Sequence, residues 1–399
     1  MSDVLYSTPP EVNRLQQRAL VVGVVGLALL AVGAFVSLDQ FFRSYLVGFI
    51  FWTGVTLGCL AIVMLQHLTG GAWGMVIRRP LEAATRTLPL LLVLFLPLAV
   101  GVSRIYIWAS HNVPEGDKEL RHALEHKRAY LNLPFFFGRA VFYFAVWLGL
   151  AYFLNKWSRE QDETGDPGLT GKLQDLSGPG LILYGLTVTF AAVDWVMSLD
   201  PTWFSTIFGI LLMGGQALSA MAFVITIAVL LARYEPMSHV FTRAHFHDLG
   251  KLLLAFVMLW AYFSFSQFLI IWSGNLPEEI PWYLRRFNSG WRVVGLLLVL
   301  FHFMLPFVLL LSRDLKRNAR LIALTAMVII VMRFVDVLWL IAPEFHGRQG
   351  FSFHWMDLAA PVGLGGIWLW YFAGQLKARP LLPIRDPNLP EVLEHAGGH

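Results

Sequence analysis

The residues that could do chemistry lie in or at the mouths of long apolar stretches. Arg104, Arg139, Asp194, Gln267, Arg333 and Asp336 fall within such stretches, His302 and Gln216 sit deeper, and Asp248 and Lys251 stand at a span entrance. An ionisable side chain in a bilayer is costly, so each is a candidate for function. At about 1.5 Å of rise per residue, the first six lie roughly 20–26 Å from one side, forming a layer in the outer third of a membrane. A carboxylate or imidazole near a buried guanidinium can hydrogen-bond a quinone-type ring oxygen or take a proton from a quinol. Asp248 and Lys251, continued by Tyr262, Ser264, Ser266 and Gln267, could form a half-channel for protons. Each feature also has a structural reading. Arg333 and Asp336 are spaced i,i+3 and can neutralise one another. Arg104 or Arg139 can pair with Asp194 to join helices, the Tyr/Ser/Gln line can be interhelical hydrogen bonding, and His302 can be a satisfied core histidine.

Redox centres are excluded on ligand supply. The single cysteine, Cys59, can neither close a disulfide nor hold an iron–sulfur cluster, and no Cys-x-x-Cys-His site occurs. Haem b between helices needs facing histidines deep in the membrane. Only His302 is near mid-depth, whereas His67, His111, His239, His245, His247, His346 and His354 fall in loops or at helix ends. No metal site is expected.

The elements that must position these residues are spanning helices. Hydrophobic residues make up 57% of the chain and charged ones 14%. Apolar runs of the length needed to cross the ~30 Å hydrocarbon core fall near 19–38, 43–66, 88–109, 134–155, 179–199, 206–232, 250–273, 290–311, 319–342 and 355–376. Barrel strands would show ~10-residue alternating segments; these runs are continuous, so the expected fold class is an all-α membrane protein of about ten transmembrane helices. The first run is too long for a signal-peptide core and lacks a cleavage site, so it reads as a retained helix. Lys and Arg are more numerous in the loops on the side of both termini, which places N and C termini in the cytoplasm. The net charge of +4 belongs to these loops, and no nucleic-acid partner is expected.

The chain also contains a divergent duplication. Trp108 with Asn112-Val113-Pro114-Glu115 matches Trp272 with Asn275-Leu276-Pro277-Glu278. Tyr130-Leu131, Gly138-Arg139 and Ser158-Arg159-Glu160 match Tyr283-Leu284, Gly290-Trp291-Arg292 and Ser312-Arg313-Asp314. Val193-Asp194 before Pro201 matches Val335-Asp336 before Pro343. Four helices separate equivalent elements, so the repeats are parallel. The expected organisation is an N-terminal segment with helix 1 (1–42), a four-helix bundle of helices 2–5 (43–205), a second of helices 6–9 (206–345), and helix 10 with a cytoplasmic tail (346–399). Helices 1 and 10 are peripheral to both bundles.

Several segments together resemble the second quinone-binding membrane protein of bacterial alternative complex III, a quinol:cytochrome c oxidoreductase. That family is one of the polysulfide-reductase (NrfD-type) integral membrane subunits. The segments are His247-Asp248-Leu249-Gly250-Lys251 through Trp260-Ala261-Tyr262 and Ser266-Gln267 to Ile271-Trp272 and Asn275-Leu276-Pro277-Glu278-Glu279, and Asp194 to Leu199 with Pro201, Trp203 and Ser205-Thr206. To these are added His302 to Pro306, Ser312 to Asn318, and Gly70-Gly71-Ala72-Trp73-Gly74 to Arg78-Arg79-Pro80. They cover most of the chain from about 67 to 345. The resemblance implies a multi-pass subunit of a quinol:electron acceptor oxidoreductase in a bacterial inner membrane, with cytochrome c or a cupredoxin as acceptor. It implies a multihaem cytochrome c subunit, an iron–sulfur subunit, a related NrfD-type subunit, small membrane subunits and lipid as partners. Haem c and iron–sulfur clusters would reside in those partners, and menaquinone or ubiquinone would be the quinone. It makes Asp194, Asp248, Lys251, His302, Arg333 and Asp336, with Arg104, Arg139 and Gln267, candidates for a quinone or proton route. Asp194→Asn is then expected to lower quinol oxidation or proton release without loss of assembly. A secondary transporter with parallel repeats is the alternative reading, and a structural anchor subunit without chemistry is a third.

Overall fold

A computed structural model of the chain describes residues 6–110, 116–346 and 351–390, with only the backbone of residue 346. Ten long helices organise it: α1 Glu11–Val36, α2 Leu38–Thr69, α3 Arg78–Val100, α4 Leu133–Thr164, α5 Gly168–Trp195, α6 Phe208–Leu231, α7 Arg243–Gly274, α8 Trp291–Leu311, α9 Ala319–His346 and α10 Met356–Lys377. Among the described residues, α1 to α9 are long and apolar enough to cross a membrane. The 22 residues of α10 also suffice, at about 1.5 Å each, but four glycines dilute its apolarity. The all-α membrane character expected from the hydropathy pattern is what the chain adopts.

The helices are separated by residues that satisfy or end a backbone ladder. Ser37 is extended and its side chain accepts from the Gln40 amide, so α1 stops and α2 begins within one residue. Gly165, at φ 72, turns α4 into α5, as glycine does at little steric cost. Thr242 and His245 cap the start of α7 reciprocally, and Asn275 closes it in the left-handed region at φ 48.

Helices α2 to α5 pack as neighbours, as do α6 to α9, and α2 and α6 meet between the two groups. That contact is close: a side chain at Gly58 on α2 would strike the Gln216 carbonyl of α6 at 2.1 Å. Tyr184 of α5 donates to Gln216 Oε1 at 2.7 Å across the same seam. The 112–115 half of the first repeat match lies outside the described residues, as do 347–350, 391–399 and the first five residues.

Helices α1 and α10 are a pair. Gly23 and Gly26 face Gly363 and Gly366 so closely that a Cβ at Gly366 would lie 2.3 Å from the Gly23 nitrogen. Small residues that let backbones approach are how helices associate in lipid, where burial supplies no drive. α10 also packs on α2, with Trp368 donating to Thr56 at 2.9 Å. A Gly366→Val substitution is expected to cost about 1–3 kcal/mol by overpacking. The detergent-solubilised protein should then unfold at a lower temperature; an unchanged midpoint would show the seam to be looser than described.

The end of α10 lies beside the start of α1, where Lys377 donates to Asn13 at 2.7 Å and Gln16 at 2.5 Å. This side is termed the terminal face. The tail continues as an ordered strap: Leu381, Leu382 and Leu389 are buried, and the Leu381 amide donates to the Tyr6 carbonyl at 2.8 Å. On the opposite face Arg285 ties Asp200 to Glu344, the latter at 2.9 Å. Burial works against the Asp200 carboxylate, but Arg285 and Thr202 hold it below the usual carboxylate range.

Candidate functional site

The sequence-predicted residues separate into four places. Arg104 is not in the buried layer. The Gly101 turn ends the helix against the Phe42 ring, which a Cβ there would meet at 2.3 Å. Arg104 consequently emerges half exposed and pairs with Asp39 at 3.0 Å. Asp248 and Lys251 pair with each other at 2.9 Å, each about half exposed. They lie roughly 14–18 Å along α7 from Trp260 at 1.5 Å per residue, a long separation for the expected half-channel to bridge.

Arg139 and Asp194 form a closed ion pair between α4 and α5. Arg139 Nε and Nη2 donate to the two carboxylate oxygens, each at 2.8 Å, and Tyr143 adds a third donor at 2.7 Å. The guanidinium packs against Tyr130 and Phe135, at 3.8 Å and 4.2 Å from the ring centroids, and donates to the Tyr130 carbonyl. Each oxygen of the carboxylate is engaged, and Asp194 is 1% exposed. This geometry fits the helix-joining reading of the pair, because a carboxylate so engaged is poorly placed to collect protons.

The fourth place lies among α6, α7, α8 and α9, which pack on one another. Asp336 accepts from Arg333 on its own helix and from Trp260 Nε1 of α7 at 3.0 Å. Gly215 of α6 leaves room for the Arg333 guanidinium, whose carbon would sit 2.1 Å from an added Cβ. Arg292, at the start of α8, is exposed, and Asp336 takes its cation from its own helix. The His302 ring of α8 meets Trp260 edge-on, with centroids 4.3 Å apart. It is fully buried, within electrostatic reach of Arg333. Both ring nitrogens lack a partner, as do both amide atoms of buried Gln267.

His302 owes its position to a local change of helix. Residues Leu298–Met304 form a π-helical turn, with the Leu305 amide bonded to the Leu300 carbonyl five residues back. Pro306 has no N–H, so it cannot donate to the carbonyl four residues earlier, which is that of His302 itself. Such widened turns recur at functional sites. Buried polar atoms without partners are rare, and ordered water is the usual answer. A neutral imidazole with water at both nitrogens can take a proton at one and release it from the other.

A second polar centre escaped the sequence reading. At the start of α3, Glu82 Oε1 accepts from Arg78 at 2.9 Å and Ser158 at 2.7 Å, and Oε2 accepts from Arg79 at 2.6 Å. Arg78 also binds Asp386 at 2.7 Å, Arg79 binds Asp162, and Arg379 lies 3.6 Å from Glu82. Three arginines thus meet three carboxylates. The i,i+3 and i,i+4 spacing of Arg78, Arg79 and Glu82 was the available signal. Two cavities flank this centre, of about 370 Å³ beside His67 and about 900 Å³ beside Arg86. Among the described residues no three His, Cys, Asp or Glu side chains gather to hold a metal. Cys59 is a buried free thiol. No protein-family model matches the chain, and no curated protein matches it.

Proposed function

We propose that the chain is an integral membrane subunit of a quinol-oxidising complex, passing electrons to a cytochrome c or cupredoxin, and that His302 is a station for protons in it. The resemblance of the 247–279 and 302–306 segments supports the first part. The observation that carries the second is a fully buried imidazole with two partnerless nitrogens, beside a tryptophan anchored on a buried carboxylate. Quinol oxidation yields quinone, two electrons and two protons. The electrons leave to redox groups held by partner subunits, and this chain's part is to move a proton at His302. The His302 ring packs directly on Trp260, which favours water over a quinone ring as its neighbour.

The test begins with purification from native membrane in mild detergent, read by redox difference spectrum and subunit mass spectrometry. Haem c and iron–sulfur subunits should accompany the chain, and the sample should oxidise quinol. A chain isolated alone and colourless would overturn this reading in favour of a transporter. Within an intact complex, His302→Phe is expected to leave haem content and thermal stability unchanged or improved, since it removes two unsatisfied polar atoms. Proton-coupled turnover should fall by about 100-fold, the lower end of what a positioned acid–base group contributes. Unchanged turnover would remove His302 from the route.

A further inference from the structure

We infer that the terminal face carries a binding site for one anionic phospholipid, between α3, α4 and α10. The cavity there holds about 900 Å³, within the range of small-molecule sites. Its upper part is cationic: Arg86, Lys156, Arg159 and Arg379 line it against two carboxylates, Glu160 and Glu163. Glu163 is already taken by Arg159 at 2.7 Å and Arg379 faces Glu82 at 3.6 Å, which leaves Arg86 and Lys156 against Glu160 alone, a net positive charge.

Two of the guanidiniums are built into the wall, and that of Arg86 has no ion-pair partner there. Arg86 Nη2 is anchored on the Gln375 carbonyl at 2.8 Å, and Arg379 Nη2 on the Asn155 carbonyl at 2.9 Å. Arg86 Nε remains buried without a hydrogen-bond partner, whereas Arg379 Nη1 faces Glu82 Oε2 at 3.6 Å. Fixed, half-satisfied guanidiniums are the donors that phosphate oxygens take.

The lower part of the cavity is apolar and leads outward. Pro89, Leu148 and Tyr152 line it. Pro89 is followed at helical spacing by Val93 and Leu96, 58% and 57% exposed. Leu148 and Tyr152 continue to Val141, 69% exposed. Since α3 and α4 are packed neighbours, the two rows run side by side from the cationic rim toward mid-membrane. A free phosphate would use the rim alone; an acyl chain would use the rows as well. Basic pockets between spanning helices are a known form of headgroup site. The site does not depend on the proton role of His302.

The protein would be purified with bound lipid, exchanged into micelles containing phosphatidylcholine, and titrated with phosphatidylglycerol while retained lipid is read by native mass spectrometry. Phosphatidylglycerol is expected to be retained over phosphatidylcholine. Arg86→Gln should weaken retention about fivefold, as about 1 kcal/mol per basic residue converts. Because Arg86 is partly buried, Lys156→Gln/Arg159→Gln at the exposed rim provides a second variant that leaves the wall intact, with a loss in the same sense. Equal retention of both lipids, or retention unchanged in both variants, would overturn the proposal. So would competition by inorganic phosphate as effective as that by phosphatidylglycerol, which would assign the rim to a soluble anion.

Discussion

Glu82→Gln is expected to destabilise the protein by about 3–5 kcal/mol, the cost of removing one partner from a buried ion pair. The substitution keeps the shape of the side chain and deletes its charge. Arg78, Arg79 and Arg379 would then face only Asp162 and Asp386, leaving one guanidinium uncompensated in a region where Arg78 and Arg79 are 2% and 1% exposed. Loss of monodisperse protein on detergent extraction, or a sharply lower unfolding midpoint, is the readout. Wild-type stability in the variant would mean that the cluster is hydrated and carries little of the fold. The size of the effect follows from position: the cluster joins α3, α4 and the C-terminal strap.

The second large effect is expected at the pair between α4 and α5. Asp194→Asn alone should cost about 3–5 kcal/mol, because it strands the Arg139 guanidinium against the Tyr130 and Phe135 rings. The double substitution Asp194→Leu with Arg139→Met should cost much less than either single change, since an apolar pair of similar volume carries no desolvation penalty. A thermal-unfolding double-mutant cycle measures this coupling. Additive losses would show that the two residues act separately and would return Asp194 to the proton route. Sequence alone predicts that Asp194→Asn spares assembly; the two-toothed contact with Arg139 predicts the opposite.

Hydropathy located all ten long helices, because twenty apolar residues in a row have few other uses. It misplaced the start of α3 by about ten residues. A scale that scores charges singly cannot register that Arg78, Arg79 and Glu82 neutralise one another, so a buried helical turn reads as a loop. Asp386 was beyond reach for a different reason: it meets Arg78 across 308 residues of sequence, and nothing local marks it. At the site, the i,i+3 spacing of Arg333 and Asp336 correctly anticipated their contact. Depth counted along an unbroken helix buries Arg104, but the Gly101 turn breaks that helix and leaves it half exposed. His302 was legible as a buried histidine, but not as one without partners. That property depends on which neighbours fail to arrive, and Trp260 brings a ring face rather than a donor.

The close fit of α1 against α10 also sets a timetable for synthesis. Gln16 finds the Trp370 carbonyl only 354 residues later in the chain. At about 5–20 residues per second of translation, the first helix waits in the bilayer for roughly 20–70 s before its mate is made. During that interval Ala19 and Gly23, a small-xxx-small pair, face lipid or whatever helix passes by. Two ribosomes on one message could thus bring two nascent first helices together, and the arrival of α10 must displace any such liaison for the chain to mature.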